Sequence, residues 1–98
     1  MATKKKAAVP KRTGVKGLRT SLAVQVEREE DGRFIAEISS LPGVLAYGAT
    51  RQAAIAHAKA LALRVIAERI EHDEPLPREL GGRARHLTQV SFTEQPAL

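Results

Sequence analysis

The chain has 98 residues, no cysteine and a formal net charge of +5. A chain of this length holds one domain and buries only about 60–65% of its unfolded surface, and neither disulfides nor a thiolate metal site can reinforce the thin core that results. No apolar run reaches the roughly 18–20 residues of a membrane span, and the basic start Met1-Ala2-Thr3-Lys4-Lys5-Lys6 leads into no apolar stretch, so neither a membrane segment nor a secretory leader is expected and the protein reads as cytoplasmic. Homo-oligomerisation, as a dimer or higher, or a partner protein is expected to supply the missing buried surface.

The charge is unevenly placed. Lys4, Lys5, Lys6, Lys11, Arg12, Lys16 and Arg19 are seven of the 16 basic residues, and the first carboxylate in the chain is Glu27. The rest of the chain carries nine basic and 11 acidic groups, a net −2. Residues 1–19 are rich in Lys, Ala, Gly and Thr with Pro10 in the middle, show no apolar periodicity, and read as a disordered basic tail. Residues 20–93 read as the folded domain and residues 94–98 as a frayed end.

From Ser21 the pattern becomes that of a strand: Leu22, Val24 and Val26 alternate with Ala23, Gln25 and Glu27. Glu29-Glu30-Asp31-Gly32 follows, and an Asp-Gly pair between two alternating runs signals a hairpin, because glycine accepts positive φ. Phe34, Ala36 and Ile38 then face inward on a second strand, with Ile35 and Glu37 pointing the other way. Leu41-Pro42-Gly43 breaks that strand in a type II turn. Val44 to Tyr47 is a short third strand ending at Gly48.

Thr50 is the N-cap candidate for a helix from Arg51 to about Glu71, whose apolar face comprises Ile55, Ala58, Leu61 or Ala62, Val65 and Ile66. Its alanines favour the helical state and permit a close approach to a sheet. His72-Asp73-Glu74-Pro75 ends it. Pro75-Leu76-Pro77 reads as an extended linker, Gly81-Gly82 as a flexible break, and Arg85 to Thr93, with Leu87, Val90 and Phe92, as a last strand. The expectation is an α+β fold of β-β-β-α-β order, with a small, mainly antiparallel sheet and one helix across a face.

The succession Glu27-Arg28-Glu29-Glu30-Asp31-Gly32, Phe34-Ile35-Ala36-Glu37, Leu41-Pro42-Gly43-Val44, Tyr47-Gly48-Ala49-Thr50, an alanine-rich helix and Asp73-Glu74-Pro75-Leu76-Pro77 resembles the HicB antitoxin family over residues 21–77. Each motif is common alone; their order and spacing carry the resemblance. It implies a degraded RNase H-like domain without catalytic acids, whose role is to bind and block a small mRNA-cleaving HicA-type toxin. Many family members add a C-terminal DNA-binding domain. Here six residues follow Phe92, so repression of an operon by that route is not expected. At the helix start, Gln52 and Ala53 stand where the family often has acidic residues.

The residues themselves argue against catalysis. A two-metal nuclease needs several carboxylates converging on ions about 4 Å apart, whereas the strand carboxylates Glu27 and Glu37 belong to no such cluster and read as solvated charges. His57, His72 and His86 lack metal-ligand spacing, and no nucleophile motif or phosphate loop is present. No enzyme activity, cofactor or metal is expected.

Recognition is the better reading. Glu27, Glu29, Glu30 and Asp31 crowd the first hairpin, and Glu68, Glu71, Asp73 and Glu74 crowd the helix end. An RNA-cleaving toxin is basic because it holds phosphates, and a protein that covers it gains rate and selectivity from opposing charge. Glu27, Glu29, Glu30, Asp31, Glu68, Glu71 and Asp73 are therefore candidate toxin contacts, with Tyr47, the only tyrosine, a candidate anchor. The alternative is that both clusters are simply solvated and Tyr47 packs on its own sheet. The seven cations of the tail are candidate contacts for DNA or RNA, weak and blind to sequence because no aromatic side chain interleaves them. An orphan domain that attaches to nucleic acid through this tail is the second functional reading; a merely solubilising tail is the bland one.

Overall fold

The computed structural model describes residues 21–84 and 87–96. The basic tail, Arg85, His86 and the last two residues lie outside that description. Four strands, β1 (Ser21–Arg28), β2 (Phe34–Glu37), β3 (Leu45–Gly48) and β4 (Ser91–Pro96), form one sheet in the spatial order β3-β2-β1-β4. The helix α1 (Arg51–Glu71) covers one face, and a 3-10 turn at Arg78–Leu80 stands between α1 and β4. That turn is an addition to the expected β-β-β-α-β order. The β1–β2 and β2–β3 pairs are antiparallel and the β1–β4 pair is parallel, so the sheet is mixed.

Alternation sorts the sheet into two faces. Leu22, Val24, Val26, Ala36 and Ile38 are all at most 3% exposed and meet α1 together with Leu41 and Val44. The hairpin between β1 and β2 is wider than a two-residue turn: the ladder stops at Arg28 opposite Phe34, and Glu29 to Arg33 close it. Gly32 takes φ 92°, and its N–H donates to the Glu29 carbonyl at 3.0 Å. At Leu41-Pro42-Gly43-Val44 the Val44 N–H donates to the Leu41 carbonyl at 3.0 Å with Gly43 at φ 86°, the hydrogen bond and the left-handed third residue of the expected type II turn.

The helix starts where its cap places it. The Thr50 hydroxyl accepts from the Ala53 N–H at 3.0 Å, satisfying one of the four orphan donors of the first turn. At the other end the Glu74 N–H donates to the Arg69 carbonyl at 2.8 Å and the Asp73 N–H to the Ile70 carbonyl at 3.2 Å, while Asp73 takes φ 55°. This is a Schellman closure with an aspartate in the left-handed position that glycine usually fills.

The buried stripe of α1 is Ala54, Ala58, Ala62 and Ile66. Ala58, Ala62 and Ile66 belong to the expected face, and Ala54 joins them in place of Ile55 and Val65. Ile55, Leu61 and Val65 instead flank the stripe, partly buried. The reason is distance: a helix that presents methyl groups sits closer to the sheet than one that presents branched chains, so the bulkier residues move to the rims. β3 answers with Gly48, where an added Cβ would lie 2.3 Å from the Ala54 backbone nitrogen.

After α1 the chain is anchored rather than free. Leu76 and Leu80 are buried in the core. Gly81 and Gly82, expected as a flexible break, form a defined turn at φ 88° and 77°, with the Gly82 N–H donating to the Pro77 carbonyl at 3.3 Å. The last strand is shifted relative to expectation, from Arg85–Thr93 to Ser91–Pro96. Ser21, the first described residue of β1, pairs with Ser91, so Leu87 and Val90 find no described ladder partner and pack against the core from outside the strand. Glu94, Gln95 and Pro96, expected to fray, pair with Val24, Gln25 and Val26, and Arg51 forms an ion pair with Glu94. Proline is tolerated at the end of β4 because this is an edge strand.

The tight approach at Gly48 makes a prediction. Gly48→Ala should lower stability by about 1–3 kcal/mol, the range for overpacking a closed contact, read as a reduced urea midpoint at unchanged slope. Thr50→Ala, which removes only the cap, should cost about 1 kcal/mol.

Candidate protein-docking face

The second face of the sheet has no covering layer among the described residues. Alternation places Ala23, Gln25 and Glu27 of β1, Ile35 and Glu37 of β2, Leu45 and Tyr47 of β3, and Thr93 and Gln95 of β4 on it. Register then sets neighbours. Glu27 pairs with Ile35 and Ile35 with Tyr47, so the three stand in one cross-strand row. Gln25, Glu37 and Leu45 form the adjacent row. Leu45 and Tyr47 are 42% and 40% exposed, and they are two of the four large apolar side chains exposed among the described residues. Ile35 between them is partly buried. The result is an apolar strip bordered by the carboxylates of Glu27 and Glu37, both exposed.

The hairpin turn leans on this strip. Asp31 accepts from the Arg33 backbone N–H at 3.0 Å and from the Arg33 Nε at 2.8 Å. The Arg33 guanidinium lies over the Tyr47 ring, 4.3 Å from its centroid. Asp31, Arg33 and Tyr47 thus form a chain that fixes the ring by cation–π contact. From behind, the His57 Nδ1–H donates to the Tyr47 carbonyl at 2.9 Å, tying β3 to α1; a carbonyl can only accept, so the proton is on Nδ1. A ring stacked under Arg33, on a strand that His57 ties to α1, loses little freedom when a partner covers it.

The two acidic clusters are not brought together. β1 and β2 turn at the end of the sheet where Gly48 meets the first turn of α1, so Glu29, Glu30 and Asp31 lie at the N-terminal end of the helix. Glu68 and Glu71 are on the last turns of a 21-residue helix, which is about 30 Å long, and Asp73 closes its C-terminus. Two separate surfaces result. Tyr47 and Glu27 belong to one face with the hairpin; Glu68, Glu71 and Asp73 do not. The seven tail cations lie outside the described residues, as does His86.

Arg33, Ile35, Glu37 and Leu45 join the site although sequence reasoning did not select them. The signal was present in the alternation, which already turned Ile35 and Glu37 away from the core, and the same rule applied to Leu45 with Tyr47 marks an apolar outer face. Among the described residues no group of three or more His, Asp or Glu side chains is arranged to hold a metal ion, and no helix is long and apolar enough to cross a membrane. Comparison with family models, with curated proteins and with solved structures finds no match.

The turn makes a pH prediction. The Arg33 backbone N–H, and after it the Arg33 side chain, hold the Asp31 carboxyl below its usual 3.8. A carboxyl with a depressed folded-state pKa contributes its stability above the unfolded value and loses it as pH falls through the folded one. An NMR titration should place Asp31 below 3.8, and Arg33→Ala should raise it while leaving the backbone N–H contribution in place; an Asp31 that titrates at the ordinary value in both proteins would contradict the turn geometry.

Proposed function

We propose that this protein is a HicB-like antitoxin, a stoichiometric inhibitor that masks a small, basic, mRNA-cleaving HicA-type toxin. The observation that carries the reading is the uncovered sheet face, where the Glu27–Ile35–Tyr47 row runs beside Glu37 and Leu45. Such a face suits a basic protein. Its apolar strip supplies the buried centre of an interface, Tyr47 the rigid aromatic anchor, and Glu27, Glu37 and the hairpin carboxylates the rim charge that steers a cationic partner.

Masking needs no chemistry from the inhibitor. A toxin surface built to hold phosphates loses its substrate when carboxylates and an apolar strip occupy it. The motif order over residues 21–77 supports the same assignment. The fold proposed with it is a reduced RNase H-like domain, favoured by an antiparallel β1–β2–β3 meander that a fourth strand, after the helix, joins parallel to β1.

The test is co-expression with a small basic HicA-type ribonuclease, scoring mRNA cleavage and the affinity of the purified pair. Tyr47→Ala should weaken binding by about 2 kcal/mol or more, roughly thirtyfold in Kd. Glu27→Lys with Glu37→Lys should slow association and abolish protection at physiological salt. Glu68→Lys at the distant helix end should leave both unchanged. Binding that survives the sheet-face variants but not the helix-end one would overturn the assignment of the face. Loss of every partner on nuclease treatment would favour a nucleic-acid-binding orphan over an antitoxin.

A further inference from the structure

The other two exposed large apolar side chains, Leu63 at 47% and Ile70 at 42%, are both on α1. They are not isolated. Ala56, Ala60, Leu63, Ala67 and Ile70 recur at intervals of four, three, four and three, all exposed, and so form a straight stripe on the side of the helix opposite Ala54, Ala58, Ala62 and Ile66. The helix therefore has two apolar faces, and the sheet covers one.

The charges beside the outer stripe have a definite polarity. Arg64 precedes Glu68 and Glu71 along the same flank. Taken over the whole helix, the first turn holds no carboxylate and begins with Arg51, while Glu68, Glu71, Asp73 and Glu74 gather at the C-terminus. This is the reverse of what the helix macrodipole favours, since cations suit the negative C-terminal end and carboxylates the positive N-terminal end. Arg51 is compensated by Glu94 within the chain, and Arg69 reaches the Pro75 carbonyl at 3.3 Å. Among the described residues, no ion pair or hydrogen bond of the Arg64 or Glu71 side chain accompanies these.

We infer that the outer face of α1 is a self-association surface that binds a second copy of this chain in antiparallel orientation about a two-fold axis passing near Ala67. In that arrangement Leu63 of one copy meets Ile70 of the other, and the reverse pair forms by symmetry. Ala67 at the axis allows close approach of the two backbones. Arg64 faces Glu71 twice, where residues 63–71 of one helix overlap residues 63–71 of the other. The inverted charge order that opposes the macrodipole in one copy becomes complementary between two. A parallel pair would set like charge against like. This surface is on the opposite side of the domain from the Tyr47 face, so it does not depend on the toxin-binding reading.

Sedimentation equilibrium of the full chain over a concentration series tests it. The wild type should show a reversible monomer–dimer equilibrium that weakens as salt rises. Arg64→Glu and Glu71→Arg should each raise the dimer dissociation constant by about tenfold or more, as expected for removing two symmetric attractions and adding repulsion. The double swap, Arg64→Glu with Glu71→Arg, should restore it to within about threefold of the wild type. All these positions are exposed, and an unchanged circular dichroism spectrum separates loss of pairing from loss of fold. A chain monomeric at every concentration would overturn the inference. So would a dimer indifferent to the swaps, or one lost instead on Tyr47→Ala.

Discussion

Everything in this domain depends on how closely one helix sits on three strands. Ala54, Ala58 and Ala62 are fully buried, and the contact is closed by Gly48, whose backbone lies against that of Ala54. Side chains no longer than a methyl draw the helix down, and the strand answers by having none. The valines, leucines and isoleucines on the inner face of β1 and β2 and in the loop at Leu41 then fill the space beside the alanines. Leu76 and Leu80 close the end beyond the helix. The seat requires no polar anchor: among the described residues no buried side chain is polar or charged.

A core of that kind has one layer of contact and, among the described residues, two uncovered outer surfaces. The sheet turns Ile35, Leu45 and Tyr47 outward on one side, and the helix turns Leu63 and Ile70 outward on the other. The same thinness that a short chain imposes thus leaves apolar surface on opposite sides of the domain, where occupation of one does not block the other. Charge then gives each surface its own character: carboxylates border the sheet strip, whereas the helix stripe runs from cations to carboxylates.

Much of this was legible in the sequence, for identifiable reasons. The alternation of Leu22, Val24 and Val26 fixed the inward face of β1, and Thr50 before an alanine-rich run marked the first residue of α1, because these signals are local. The centre of the buried helix stripe was not legible, since whether Ile55 or Ala54 is innermost depends on how near the sheet comes, a tertiary quantity. The bounds of β4 were equally out of reach. Phe92 pointed to a strand, but its bounds follow from a long-range parallel register with β1, and no pattern within residues 85–98 encodes that. At the site, Tyr47 and Glu27 were recognised one by one. Their alignment through Ile35 required the register of three strands, which also moved the helix-end carboxylates away from them.

The parallel pairing of β4 with β1 has a consequence for how the fold is reached. Ser21 and Thr93, whose hydroxyls are hydrogen-bonded, lie 72 positions apart, whereas β1, β2, β3 and α1 are joined by short connections and can assemble in chain order. Local contacts form before distant ones, so the meander and helix come together first and β4 docks last. During synthesis that interval lasts until residue 96 has left the ribosome, and throughout it the outer edge of β1 is an open ladder of backbone donors and acceptors. An open edge accepts any strand that fits it. A β4 segment from a neighbouring chain would meet the same register there, which is the geometric requirement for exchange of an edge strand between copies.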